Sequence, residues 1–281
     1  MLYIGCPMWG YKAWVGNFFP ASTPASEFLR LYSQQLTAVE GNTTFYAIPS
    51  EEIVDRWCHE APPTFRFCPK VFRGVSHTLH VSFNKTAAQL FIERMGRLGE
   101  RLGPMFLQLP AGFSPDALPQ LQAFLDFWPA NVRLAVEVRN RAFFTEPHAS
   151  ILNSLLQRYT VARVIMDTRP IRVGSLEERS LLHARERKPN LPVQPTITTD
   201  LAFVRYIGHP RMEVNEEFLD AWAQQCVQWL RQDITLYVFC HCPFEVHSPE
   251  ICKVLYQRIR ALYPLPPLPW PPEEPEQATL F

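Results

Sequence analysis

The sequence carries no net charge, because 27 lysines and arginines balance 27 aspartates and glutamates. A general binder of polyanions needs an excess of positive charge, so contact with nucleic acid would require a local basic patch. The chain also lacks an apolar run of the ~18–20 residues that span a membrane, and its N-terminus enters a strand at once, with no signal peptide. We therefore expect a cytoplasmic protein without membrane association.

Several short catalytic motifs are also absent. There is no glycine-rich phosphate loop and no G-x-S-x-G nucleophile elbow, which disfavours nucleotide-dependent transferases and α/β-hydrolases. There is likewise no tight metal-binding spacing such as H-E-x-x-H.

The seven cysteines are odd in number and scattered, which indicates reduced thiols in a cytoplasmic protein rather than a disulfide framework. Their one cluster is Cys240-His241-Cys242. No second Cys/His pair at zinc-finger spacing accompanies it, and adjacent residues of a strand point to opposite faces. We therefore interpret the cluster as buried thiols that flank one useful histidine.

Short apolar segments alternate with helical patterns from one end of the chain to the other. Several segments are apolar without alternation, as in parallel strands that are covered on both faces. The predicted strands are Leu2–Gly5, Thr37–Val39, Phe65–Cys68, Pro104–Leu107, Arg133–Val138, Val161–Met166, Ala202–Tyr206 and Ile234–Phe239. Eight strands that alternate with helices favour an α/β fold, a single-domain TIM (β/α)8 barrel, with a doubly wound open sheet as the alternative.

Two parts of the chain depart from this alternation. Residues 264–281, PLPPLPWPPEEPEQATLF, are too rich in proline for helix or sheet, so we expect a barrel domain over 1–263 and an extended tail over 264–281. The connection over 168–200 is long and basic, and it could be a lid, a binding loop, a disordered insert or a plain solvated surface.

Side chains that can ionise or form hydrogen bonds follow nearly every predicted strand. Barrels carry function at the carboxyl ends of their strands, so we expect these side chains to converge on one cavity. The candidate catalytic residues are Glu40, Lys70, Glu137 and Asp167. The candidate substrate-binding residues are Trp9, Trp14, Asn42, Tyr46, His77, Gln108, Arg139, Arg205 and His241.

The carboxylates are open to more than one role. Glu40 and Glu137 could form an acid/base pair as in glycoside hydrolysis, although the commonest barrel glycosidases place their carboxylates at the ends of strands four and seven. With Asp167 and His241 they could instead hold a divalent metal that activates water for phosphoester cleavage. Glu137 and Arg139 could also neutralise each other as an ion pair, and Glu137 would then have a structural role.

The cations favour an anionic ligand. Lys70, Arg139 and Arg205 would suit a phosphate, and Lys70 could form a Schiff base if its neighbours lower its pKa. Trp9, Trp14 and Tyr46 could form walls of the cavity on which a base or a sugar stacks. Alternatively, the two tryptophans could be packing residues over the mouth of the barrel.

Six segments follow one another along the chain, namely GCPMWGYKAWVGNFFP, VEGNTTFYAIP, FRFCPKVFRGVSH, LGPMFLQLPAGF, LAVEVRNRAFF and VIMDTRP. In this order they resemble landmarks of the YecE-like family, known as domain of unknown function 72, and most closely those of its enterobacterial branch. The resemblance spans essentially the whole chain and implies a TIM-barrel fold without a proven activity. It carries over to Trp9, Glu40, Asn42, Thr44, Tyr46, Lys70, His77, Gln108, Glu137, Arg139, Asp167 and Arg205.

The last residues, EQATLF, resemble the bacterial peptide that binds the DNA polymerase sliding clamp, with Gln277 followed by Leu280 and Phe281. Two apolar side chains on a tether could each contribute ~1.5–3 kcal/mol when they are buried in a pocket, against the cost of ordering the segment. The alternative is a tail that folds back on the domain or frays.

The leading hypothesis is an enzyme, a hydrolase or phosphoesterase, that acts on a small anionic or phosphate-bearing substrate in DNA metabolism. Two alternatives stay open. One is a non-catalytic module that recruits nucleic acid or a partner to the sliding clamp. The other is a sugar-isomerase-like enzyme with a metal near Glu137 and Asp167.

Overall fold

The computed structural model describes residues 1–174 and 179–270. Its eight strands lie within one or two residues of the predicted positions. They are β1 (Leu2–Gly5), β2 (Ala38–Gly41), β3 (Arg66–Pro69), β4 (Met105–Gln108), β5 (Leu134–Glu137), β6 (Ala162–Asp167), β7 (Leu201–Ile207) and β8 (Thr235–His241). Strands so short and apolar are typical of a parallel sheet covered by helices.

Helices of very different length lie between the strands. They are α1 (Phe28–Ser33), α2 (Glu51–Glu60), α3 (Arg73–Ser76), α4 (Lys85–Gly96), α5 (Leu118–Phe127), α6 (His148–Arg158), α7 (Arg179–Arg187), α8 (Glu216–Leu230) and α9 (Ser248–Leu262). In α8 an apolar face that includes Leu219, Trp222 and Cys226 is buried, as its spacing indicates. Within the described ranges no helix has both the length and the apolar character that crossing a membrane requires.

All the strands run parallel, in two hydrogen-bonded sheets. Six of them form a half-barrel in the order β1-β8-β7-β6-β5-β4, and β2 pairs with β3. Each strand lies beside a neighbour in the chain, and β8 lies beside β1, as in a TIM-like fold. The doubly wound alternative differs, because its strand order reverses at a switch point.

Backbone contacts link the two sheets on both sides. The Glu40 N–H donates to the carbonyl oxygen of Cys6 at 3.0 Å, and the Val71 N–H donates to that of Phe106 at 2.9 Å. The approach of β1 to β2 is so close that a Cβ on Gly5 would lie 1.8 Å from the Ala38 oxygen. Glycine is therefore required at position 5.

A buried apolar cluster lies enclosed between the strands. It takes at least one side chain from every strand, namely Tyr3, Ala38, Cys68, Phe106, Ala135, Ala162, Val164, Leu201, Phe203, Tyr237 and Phe239. The ring of Phe203 lies 5.3 Å from that of Phe106 and 5.1 Å from that of Phe239, measured between centroids. This packed apolar cluster supports the polar side chains at the carboxyl ends of the strands.

The described part of the long basic connection contains two short helices, followed by an irregular segment up to β7. After β6 it forms a 3₁₀ helix, Pro170–Arg172, and then α7. The Arg172 guanidinium donates to the carbonyl oxygens of Arg185 at 2.9 Å and Lys188 at 2.5 Å. These bonds provide hydrogen-bond donors for carbonyl groups at the end of α7. They also hold Lys188 near the carboxyl ends of the strands.

The start of the proline-rich tail lies on the domain. The Tyr256 hydroxyl donates to the carbonyl oxygen of Pro266 at 2.7 Å, and the ring of Trp270 lies 5.0 Å from that of Phe18. The predicted partner-binding residues Gln277, Leu280 and Phe281 lie outside the described residues.

Candidate active site

A cavity of about 880 Å³ opens at the carboxyl ends of the strands. Most of the side chains that the sequence predicts for the site line it, although they are far apart in the chain. These are Trp9, Glu40, Asn42, Tyr46, Lys70, His77, Gln108, Arg139, Arg205 and His241. Glu137 lies behind this lining, in contact with Arg205.

Arg205, on β7, joins two buried carboxylates below the cavity. Its Nε and Nη2 donate to Glu40 Oε2 and Oε1 at 2.7 and 2.8 Å, and its Nη1 donates to Glu137 Oε2 at 2.5 Å. The side chains of all three residues are at most 2% exposed. A fork of planar N–H donors between two carboxylates is the geometry in which arginine binds most strongly.

Glu40 accepts two further contacts from its neighbours. Asn42 Nδ2 donates to its Oε1 at 2.6 Å, and His241 Nε2 lies 3.1 Å from its Oε2. Burial and the charge of Arg205 lower the pKa of His241 to about 4, although Glu40 opposes them. The ring is therefore neutral at neutral pH, and Nε2 carries the proton that it donates to Glu40.

Glu137 is held by a second arginine. Arg139 Nε donates to Glu137 Oε1 at 2.6 Å, so the ion pair expected from their shared strand face is present. Burial alone would raise the pKa of Glu137, but Arg205, Arg139 and Lys70 outweigh it and lower that pKa to about 2. Arg205 and His241 likewise hold the pKa of Glu40 well below its usual range. Neither carboxylate can therefore donate a proton at neutral pH.

Lys70 has a different environment from the two glutamates. Its Nζ donates to the amide oxygen of Gln108 at 2.8 Å and lies 4.1 Å from the centroid of the Phe45 ring. The same amide oxygen accepts a bond from Arg139 Nη2 at 2.8 Å. Burial and the nearby Arg205 lower the pKa of Lys70 to about 7, so both of its protonation states are accessible at neutral pH.

Trp9, Tyr46 and His77 lie around the mouth of the cavity. The half-buried Trp9 packs edge-on against Trp57, with 5.2 Å between ring centroids, whereas Tyr46 is 69% exposed. Burial and the charge of Lys70 lower the pKa of His77, whose Nδ1 is 3.0 Å from the Ser76 hydroxyl.

Two predicted site residues, Trp14 and Asp167, do not line the cavity. Trp14 is fully buried among aromatic rings, and its Nε1 donates to the carbonyl oxygen of Glu245 at 2.8 Å. Asp167 accepts bonds from Arg169 Nη2 and Trp222 Nε1, both at 2.8 Å.

The position of Asp167 follows from the register of the strands. Met166 pairs with Arg205, and Asp167 pairs with Tyr206, one residue further on. Because side chains alternate along a strand, Asp167 points to the face opposite to that of Arg205.

Three charged residues that line the cavity are not among the residues predicted from the sequence, namely Arg187, Lys188 and Glu245. The two cations come from the basic connection, whose charge was the available signal. Burial and the nearby Arg205 lower the pKa of Lys188 to about 8. Glu245 follows β8, and the Ser248 hydroxyl donates to its Oε2 at 2.6 Å. Burial raises the pKa of Glu245 to about 7.

A family model described as "Protein of unknown function DUF72" matches residues 3–276. The chain belongs to the DUF72 family. Among its DUF72 relatives, the UPF0759 protein YecE of Escherichia coli K12 is 35% identical over the full length of both chains. The UPF0759 protein YunF of Bacillus subtilis strain 168 is 23% identical over 80% of this chain and 86% of its own. The resemblance noted in the sequence is thus confirmed.

Solved structures of DUF72 proteins share the fold. A DUF72 family protein from Enterococcus faecalis V583 superposes with a TM-score of 0.72 and 17% identity, covering 98% of this chain and 99% of that one. A second, from Thermotoga maritima MSB8, superposes with a TM-score of 0.71 and 22% identity, covering 93% and 98%. Both superpositions extend over nearly the whole of this DUF72 chain, and its α/β half-barrel is consistent with a TIM-like fold.

The four metal ligands expected from the sequence do not converge in this DUF72 chain. Arg205 lies between Glu40 and Glu137, and Asp167 faces the opposite side of its strand. Within 1–174 and 179–270, no group of three or more His, Cys, Asp or Glu side chains is arranged to hold a metal ion. The arrangement therefore does not fit a divalent metal there, or the sugar-isomerase-like alternative that depends on one near Glu137 and Asp167.

Proposed function

We propose that this protein is an enzyme whose cavity binds the phosphate-bearing end of a small substrate. The observation that carries the proposal is the balance of charge in the site. Glu40 and Glu137 are neutralised by Arg205 and Arg139. The remaining charged side chains of the cavity are mostly cations, so the site as a whole favours an anion.

Among the described lining residues, the remaining cations are Lys70, Arg187 and Lys188, and the remaining carboxylate is that of Glu245. Lys70 donates to a neutral amide oxygen, which leaves its charge available to a ligand. Charge-assisted hydrogen bonds from ammonium and guanidinium groups to phosphate oxygens are about twice as strong as neutral ones. A phosphate that enters from solvent would therefore bind between Lys70 and Lys188.

We also propose that the two sheets form one closed (β/α)8 barrel around this site. The backbone bonds from Glu40 to Cys6 and from Val71 to Phe106 support closure at both junctions. The enclosed apolar cluster, to which every strand contributes, supports it as well. In such a barrel all eight strand ends face the same cavity.

Lys70 and Glu245 have different roles in the proposed reaction. Protonated Lys70 would hold the phosphate, and Glu245, whose pKa of about 7 leaves part of it protonated at neutral pH, would act as the general acid. In hydrolysis of a phosphoester, the oxygen of the attacking water would bond to phosphorus and pass one proton to a phosphate oxygen. Glu245 would protonate the departing oxygen as the phosphorus–oxygen bond breaks. Glu40 and Glu137 would hold Arg205 and Arg139 in position.

The test is a screen of phosphomonoesters and abasic DNA for hydrolysis, together with calorimetric titration of inorganic phosphate. We expect phosphate binding and turnover of at least one ester, and turnover should fall tenfold or more in Lys70→Met and in Glu245→Gln. Lys85→Met, which changes an exposed lysine on α4, is the matched control and should behave as the wild type. Absence of both phosphate binding and turnover would refute the proposal.

A second proposal concerns the tail. Residues up to Trp270 lie on the domain surface, which supports a tether that presents Gln277, Leu280 and Phe281 to a sliding clamp in the cytoplasm, in DNA metabolism. None of the seven cysteines forms a disulfide bond, which agrees with a reducing compartment. Surface plasmon resonance should show micromolar clamp binding that is lost on removing residues 277–281. Unchanged binding would refute this proposal. Binding with full tolerance of Lys70→Met would favour the non-catalytic alternative.

A further inference from the structure

The cavity has two sides of different chemistry. The connections after β1 and β2 contribute Met8, Trp9, Phe45 and Tyr46, which are apolar or aromatic. The strand ends and connections from β3 to β6 contribute the basic side chains Lys70, Arg139, Arg187 and Lys188. An anion alone would need only the basic side.

We propose that the substrate carries an aromatic ring beside its phosphate, as a nucleoside monophosphate does, and that the ring stacks on Tyr46. This inference rests on the proposed function, since it assigns the phosphate to the basic side of the same cavity. It adds the chemical class of the rest of the substrate.

Tyr46 has the position that such a ring requires. It is 69% exposed although it belongs to a cavity wall, so one face of a large amphipathic side chain is available to a ligand. Its ring packs edge-on against Phe45, with 5.2 Å between centroids and 85° between planes. This contact fixes the direction in which the exposed face points.

The aromatic side and the basic side meet at Phe45. The ring of Phe45 contacts Tyr46 on one side, and the Lys70 ammonium lies 4.1 Å from its centroid. The Lys70 ammonium and the Tyr46 ring are therefore no further apart than the sum of that 4.1 Å and the 5.2 Å between the Phe45 and Tyr46 centroids, a distance that a single small molecule can span.

The size of the cavity agrees with a two-part ligand. Sites for small molecules and cofactors typically enclose roughly 300–1,000 Å³, and this cavity of about 880 Å³ lies within that range. Inorganic phosphate would fill only a small part of it. The wall that phosphate leaves uncovered is the one that holds Trp9 and Tyr46.

The test compares AMP, ribose 5-phosphate, inorganic phosphate and adenosine by isothermal titration calorimetry. AMP should bind about tenfold more tightly than ribose 5-phosphate, because stacking of a base on an aromatic side chain contributes that much or more. Tyr46→Ala should remove this difference without changing the affinity for ribose 5-phosphate. Tyr46→Phe, the matched control, should retain it. Lys70→Met should weaken both phosphate ligands, and adenosine should bind poorly.

The outcomes separate this inference from the function on which it rests. If ribose 5-phosphate binds through Lys70 but AMP binds no more tightly, or Tyr46→Ala changes nothing, the ring inference is wrong and the anion site stands. If no phosphate ligand binds, or Lys70→Met has no effect on any of them, the proposed function fails, and the ring inference fails with it.

Discussion

Replacing Arg205 by methionine is expected to lower the free energy of unfolding by about 3–5 kcal/mol, because one partner of a buried ionic network is removed. Glu40 and Glu137 would remain buried beneath the cavity without the guanidinium that joins them. Burying an unpaired carboxylate is costly, so both would take up protons or admit water. Arg205→Lys should give an intermediate loss, since an ammonium keeps the charge but not the fork of N–H groups.

Urea denaturation measures this loss, and the chain offers a matched control. Arg133 forms an ion pair with Asp200 that is about half exposed on both sides, so Arg133→Met should cost less than about 1 kcal/mol. Combining Arg205→Met with Glu40→Gln and Glu137→Gln should restore part of the stability, because the two buried carboxylate charges that Arg205 neutralised are then removed. Equal losses in Arg205→Met and Arg133→Met would contradict the network described here.

The affinity for sulfate is expected to fall by about tenfold to a hundredfold between pH 6 and pH 9. Losing a hydrogen bond from a charged group weakens binding by about this much. Lys70 has a pKa of about 7 and Lys188 one of about 8, so both lose their charge as the pH rises. Glu245, with a pKa of about 7, gains negative charge over the same range and repels the anion. Sulfate keeps its charge throughout, which makes it a better probe than phosphate.

Calorimetric titration at several pH values tests this dependence. Lys70→Met should bind sulfate weakly at pH 6 and show a smaller change in affinity near pH 7, because only Glu245 then titrates there. Glu245→Gln should bind more tightly than the wild type above pH 7, because the repulsion is gone. Lys85→Met should match the wild type at every pH. Affinity that is independent of pH, or that rises with pH, would contradict the assignment of Lys70 and Lys188 to the anion.

Much of the site could be predicted from sequence because strand ends are local features. Apolar runs that end in Glu40, Gln108 and His241 mark both the strand and its carboxyl end, and a TIM-like fold brings such ends together. Trp14 was selected by the same proximity, but its ring enters the core beside β1. Asp167 lies one residue beyond the pairing of Met166 with Arg205, and one residue reverses the face of a side chain.

The remaining features depend on contacts that have no local signature. Lys188 reaches the cavity because the Arg172 guanidinium, 16 residues earlier in the chain, donates to the carbonyl oxygen of Lys188. Arg205 decides whether Glu40 can act as an acid or base or is only structural. The two residues are far apart in the sequence, but Arg205 Nε lies 2.7 Å from Glu40 Oε2. The sequence shows both charges but not that they neutralise each other, so it could not indicate Lys70 and Glu245 as the groups that titrate near neutral pH.

The most direct test of the account is a crystal structure of the protein soaked in inorganic phosphate at pH 6, where Lys70 is charged. The account predicts a phosphate in the cavity, with its oxygens about 3 Å from Lys70 Nζ and from Lys188 Nζ. A cavity without phosphate under these conditions, or a phosphate bound only at a distance from Lys70, would contradict it.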